Sequence, residues 1–128
     1  MKDELIVFLP YPHKLLGLTV STNKKVGFLF TNLSIYQFRE NNNIATSEEY
    51  TKWIKENGES RLVTEMMYGA AQAYCMDRSI KQTFTKSKLT AAIALSGADV
   101  QKSIVDAWRK SQTFGLVESK KKVMAKAS

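Results

Sequence analysis

The chain has 128 residues, 44% hydrophobic and 24% charged, with nineteen Lys and Arg against twelve Asp and Glu for a net charge of +7. A chain of this length fits one domain that buries roughly two-thirds of its unfolded surface, and its balance of apolar and charged residues excludes a disordered or fibrous protein. The single cysteine, Cys75, excludes an internal disulfide and fits a reducing compartment.

The N-terminal apolar run Leu5-Ile6-Val7-Phe8-Leu9 follows Asp3 and Glu4 and is too short for a signal peptide. No stretch approaches the ~20 apolar residues of a membrane span, so the expected location is the cytoplasm. Part of the positive excess sits in Lys120, Lys121, Lys122 and Lys126. Residues 1–115 therefore read as the globular domain and 116–128 as a basic, flexible tail. A positive balance of this kind attracts nucleic acid or acidic protein surfaces without choosing between them.

The first thirty-one residues have the two-residue period of β structure. Leu16, Leu18 and Val20 alternate with Leu15, Gly17 and Thr19. Beyond Ser21-Thr22-Asn23-Lys24, Val26, Phe28 and Phe30 alternate with Lys25, Gly27 and Leu29. This pattern predicts a hairpin turning at residues 21–24. Upstream, Glu4–Leu9 reads as a further strand, ended by Pro10-Tyr11-Pro12. Leu5, Val7 and Leu9 lie on one of its faces and Ile6 and Phe8 on the other, and a single core layer does not cover both. The strand either pairs with a second copy or joins the hairpin as a third strand.

From Asn32 the period becomes helical. A short helix capped by Asn32 or Ser34 carries Ile35, Tyr36 and Phe38 and stops at Asn41-Asn42-Asn43. Thr46 with Glu49 is a capping-box signature, opening a helix with Tyr50, Trp53 and Ile54 that ends at Asn57-Gly58. The longest helix runs from about Glu59 to Arg78 and carries Leu62, Val63, Met66, Met67, Ala70, Ala73 and Tyr74. Leu89, Ala92 and Ile93 mark another, ending at Ser96-Gly97. Val100, Ile104, Ala107 and Trp108 mark a last one from about Ala98 to Ser111. The expected fold is α+β and mainly α: an N-terminal hairpin, with or without a third strand, then about five helices.

Chemistry has little to use. His13 is the only histidine and has no acidic neighbour in sequence, and Cys75 sits among apolar residues where a buried thiol is inert. Metal-ligand spacings, phosphate loops and dinucleotide fingerprints are absent from the sequence. No enzyme activity and no cofactor are expected. Gly69, beside Ala70, Ala71 and Ala73, marks a place where another helix crosses closely or a partner segment docks. The helices flanking Ser96-Gly97 allow a helix-turn-helix that presents Gln101, Lys102, Arg109 and Lys110 to DNA. Against that, Asp99 and Asp106 repel phosphates, and the aromatics fall on apolar faces where single-strand binding does not use them.

The order of these pieces resembles the tail assembly chaperones of long-tailed bacteriophages. The resemblance spans roughly Leu15 to Gly115: Val26-Gly27-Phe28-Leu29-Phe30, then Ser34-Ile35-Tyr36-Gln37-Phe38, a short amphipathic helix, Met67-Tyr68-Gly69-Ala70-Ala71, and Phe84-Thr85-Lys86 through Ile104-Val105-Asp106-Ala107-Trp108. Met1–His13 precedes the part that resembles the family. The resemblance implies a non-catalytic protein of the host cell cytoplasm. It would bind the tape measure protein, keep it soluble and give way to tail tube protein. A frameshifted longer product is also common in the family, and Lys120-Lys121-Lys122 is what an A-rich slippery stretch encodes. Self-association, with nucleic acid and membrane as unlikely partners, completes the expectation. The alternatives are a helix-turn-helix-like DNA-binding regulator and a structural tail or neck subunit of the virion. Residues placed at a protein-binding surface are Leu5, Val7, Phe8, Met66, Met67, Met76, Lys120, Lys121 and Lys122. The methionines suit an adaptable contact, although core packing is the commoner use of Met66 and Met67.

Overall fold

The computed structural model describes residues 4–111. Strands β1 (Glu4–Leu15) and β2 (Leu18–Leu29) form a two-stranded antiparallel sheet, in register from Glu4 opposite Leu29 to Leu15 opposite Leu18. Helices α1 (Asn32–Asn42), α2 (Ser47–Asp77) and α3 (Lys86–Leu95) follow, and residues 98–111 form α4. The fold is α+β and mainly helical, with an N-terminal hairpin. Expectations for residues 112–128, including the basic tail, lie outside the described residues.

The hairpin is longer than the sequence pattern suggested, and its turn lies elsewhere. Residues 21–24 run straight through β2, and the chain reverses at Leu16-Gly17, where φ is 52° and 80°. Two consecutive positive φ values give the turn whose twist matches paired strands. Pro10 and Pro12 do not end β1. In a two-stranded sheet each strand keeps one open edge, and a spacing of two puts both proline nitrogens on the same edge, away from β2. Glu4–Leu9 is thus the first half of the hairpin itself, neither a third strand nor a separate one. Its Leu5, Val7 and Leu9 face does meet the core, and Ile6 and Phe8 are exposed.

Thr31, one residue earlier than expected, caps α1. Its hydroxyl accepts from the Leu33 N–H at 3.3 Å, and the Ser34 hydroxyl accepts from the Thr31 N–H at 3.1 Å. Asn43 closes the helix in the left-handed conformation, φ 55°. Thr46 caps α2, its hydroxyl accepting from the Glu49 N–H at 3.1 Å. Gly58, at φ 84° and ψ 171°, is non-helical and divides α2 into two helical arms, where the sequence placed the end of one helix and the start of the next. Among the described residues there are thus four helices, one of them two arms joined at this break, in keeping with the expected number.

Two apolar clusters result. The larger contains Leu9, Val26, Phe28, Phe30, Met67, Ala70, Phe84, Leu89 and Ile104, joining the inner face of the hairpin to α2, α3 and α4. The smaller contains Phe38, Ile44, Leu62 and Met66, with the rings of Tyr50 and Trp53 set edge-on to Phe38 at 5.9 and 5.2 Å. Gly69 sits where α1 crosses α2. A Cβ there would lie 3.0 Å from the Ser34 carbonyl oxygen and 3.2 Å from the Phe38 nitrogen. The close-crossing reading of this glycine holds, and no partner groove opens at it.

Candidate functional site

The residues singled out for partner binding separate into two groups. Leu5 and Val7 pack against the larger cluster, Met67 belongs to it, and Met66 belongs to the smaller one. Met66 and Met67 are buried, because the stripe of α2 that carries them is wedged between the hairpin, α1 and α3, and Leu5 and Val7 are partly buried against the larger cluster. Phe8 and Met76 are 62% and 52% exposed and do face solvent. Lys120, Lys121 and Lys122 lie outside the described residues.

Exposed apolar side chains gather at two places. One is the junction of β1 with the end of α2, where Arg78 pairs with Glu4 and stacks over the Tyr74 ring at 5.2 Å. That pairing ties the start of β1, where Ile6 and Phe8 are exposed, to the end of α2, where Met76 and the following Ile80 are exposed. Tyr74 in turn lies against Gly27, where an added Cβ would collide with the tyrosine ring unless the ring shifted. The other place is the hairpin tip, where Leu15, Leu16 and Leu18 are exposed, Leu16 at 95%. The tip belongs to neither apolar cluster. Sequence reasoning missed it by placing the reversal at residues 21–24.

A concave surface lies among α2, α3 and α4: a groove of about 350 Å³ lined mainly by Val63, Met67, Leu89, Ile93, Ile104 and Val105. Its rim continues past Thr64, Thr90 and Ala94 toward Arg61, Glu65 and Lys86. Glu65 is 1% exposed, and its carboxylate accepts from the Lys86 Nζ at 2.9 and 3.1 Å and from the Asn42 Nδ2 at 3.1 Å, with the Arg61 Nε at 3.6 Å. This cluster was also missed. Its signal is a carboxylate on the inward stripe of α2, three residues after Leu62 and four before Gly69.

The helix pair α3–α4 does not present Gln101 to DNA. Its Nε2 donates to the carbonyls of Ile93, Ala94 and Ser96 at 3.1, 3.2 and 3.1 Å, closing the C-terminus of α3. Lys102, Arg109 and Lys110 are exposed on α4, as are Asp99 and Asp106. The Cys75 thiol is half-buried, and burial pushes its pKa up, with Lys24 partly opposing the shift. Such a thiol is a poor nucleophile at neutral pH. Among the described residues, no group of three or more His, Cys, Asp and Glu side chains is placed to hold a metal ion. No helix among them is long and apolar enough to cross a membrane.

No protein-family model matches the chain, and neither the curated proteins nor the solved structures contain a match to it.

Proposed function

We propose that this chain is a non-catalytic assembly chaperone that binds an extended helical client, the tape measure protein of a long-tailed phage, in the host cell cytoplasm. The observation that carries the reading is the set of apolar side chains left in solvent by an otherwise well-filled fold: Ile6, Phe8, Met76 and Ile80 on the two tied elements and three leucines at the hairpin tip. Apolar side chains left in solvent, three of them adjoining at the hairpin tip, supply what a protein-binding surface needs. Phe8 and Met76 add shape adaptability, which suits a client with many similar helical segments. The order of hairpin, aromatic helix, alanine-rich helix and closing helices supports the phage resemblance. In this reading the chaperone self-associates along its client and gives way to tail tube protein as the tube forms.

The test is to look for a tape measure gene beside this one and to co-express its product with this chain. The chaperone should raise the soluble fraction of the client and co-purify with it, and Phe8→Ser with Met76→Ser should weaken both effects without lowering the melting temperature. A client equally soluble without the chaperone overturns the proposal. So does a fixed stoichiometric copy number in purified particles, which identifies a structural tail or neck subunit instead.

A further inference from the structure

The hairpin tip and the α2–α3–α4 groove are complementary features on the same chain, and we infer that the tip of one copy seats in the groove of the next, joining copies head to tail. At the tip, Leu16 projects from a two-residue turn with Leu15 and Leu18 beside it, all three exposed. The first position of such a turn favours Asn, Asp or Gly, because φ is positive there. Leucine at φ 52° and 95% exposure gains nothing within its own fold in return for that strain. Backbone strain combined with an exposed apolar side chain is the mark of a contact made elsewhere.

The groove is the matching hollow. An apolar cavity of roughly 150 Å³ holds one benzene-sized group, so about 350 Å³ has room for two leucine side chains. Its lining of Val63, Met67, Ile93, Ile104 and Val105 is apolar, and the Gln101 amide at its edge is already satisfied by carbonyls of α3 and the turn after it. The paired strands hold a copy's own tip outside both clusters, and the tip of a second copy is the occupant that matches the groove in size and apolar character.

Knob and hollow are different surfaces, so every copy that has used one still offers the other. Such contacts extend into a ring or an open chain and do not stop at a dimer. A contact built on three leucines falls below the roughly 1,200 Å² of a stable interface, so association is weak and grows with concentration. This gives the self-association proposed above a geometry, and it makes no use of the client, whose binding is tested separately.

Sedimentation velocity from about 10 μM to 1 mM, the range of weak complexes, should show the unmodified protein growing past dimer. Leu16→Asn with Leu18→Ser removes the knob and keeps a turn-compatible residue. Val105→Glu charges the hollow from the half-buried face of α4. Each variant alone should be monomeric, with an apparent dissociation constant raised at least about tenfold and circular dichroism unchanged. Mixed, they should form a one-to-one heterodimer and nothing larger, since only one intact knob and one intact hollow remain. Wild-type protein that stays monomeric to 1 mM overturns the inference. Two other results would also overturn it: a knob variant that associates like wild type, which would leave the groove to another occupant, and a mixture that fails to pair. If Val105→Glu does not fold, Ala94→Phe at the exposed groove wall replaces it in the same mixing test.

Discussion

Lys86 reaches from the first turn of α3 to Glu65 on α2, placing its Nζ 2.9 Å from one carboxylate oxygen and 3.1 Å from the other. Glu65 is 1% exposed, so these partners take the place of the water its carboxylate has lost. Removing one member of a buried pair typically costs about 3–5 kcal/mol. Here Lys86 is partly exposed and Arg61 remains nearby, so Lys86→Met is expected to lose about 2 kcal/mol, read as a lower urea midpoint at unchanged slope. Glu65→Leu combined with Lys86→Met should recover most of the loss, because no buried charge then remains. A double variant no more stable than Lys86→Met would show that the pair does more than satisfy its own burial.

Gly69→Ala should destabilise the protein although alanine is the better helix former by about 1 kcal/mol. The added methyl meets backbone atoms of α1, the Ser34 oxygen at 3.0 Å and the Phe38 nitrogen at 3.2 Å, which cannot swing aside as a side chain can. Overpacking of this kind costs about 1–3 kcal/mol, leaving a net loss near 1 kcal/mol. Thermal unfolding checks it, and an unchanged or higher melting temperature would mean that α1 slides freely over α2.

Leu16→Asn by itself should raise stability by about 0.5–1 kcal/mol in dilute solution. The substitution gives up no buried contact, since Leu16 is exposed, and relieves a positive φ that leucine tolerates poorly. A loss of stability would place a hidden contact at the tip.

Alkaline pH should weaken the fold. Burial raises the pKa of the Cys75 thiol from its ordinary 9.0 and those of the Tyr11 and Tyr50 hydroxyls from 10.0, with Lys24 and Arg39 partly offsetting the shifts of Cys75 and Tyr50. The Tyr11 hydroxyl is buried with no hydrogen-bond partner in good geometry, though the Thr85 backbone lies close by. In each case the fold favours the protonated form. The contribution is therefore full below the unfolded values and is lost as pH rises through the raised folded ones. Urea midpoints should hold constant up to about pH 8.5 and fall from about pH 9 upward, and Cys75→Ala should remove the earliest part of the fall.

Helix positions were legible because caps and apolar periodicity act locally. Thr46 with Glu49, Asn43, and Gly58 with its positive φ all marked helix limits or breaks that the chain uses. The hairpin turn was not legible. Ser21-Thr22-Asn23-Lys24 has the polar composition of a loop, yet it runs along β2, where Lys24 donates to the Thr83 carbonyl and lies over the Tyr11 ring. Leu16-Gly17 lacks the asparagine that advertises such a reversal. The prolines misled for a related reason: they forbid a central strand, and a sheet of two strands has none. Phe8 and Met76 were identifiable as surface residues, whereas the groove arises where three helices separated in sequence converge, and no local pattern encodes it.

Trp108 packs against both apolar clusters, while Trp53 packs only against the smaller. The chain's two tryptophans therefore stand at a seam and on one side of it. If the kinked arm of α2 and α1 open ahead of the hairpin core, the emission of Trp53 should shift first and that of Trp108 should follow in two stages. If the molecule melts as one unit, the two signals should coincide. Single-tryptophan versions of this protein would thus carry their own optical gauge of how tightly its two halves are coupled.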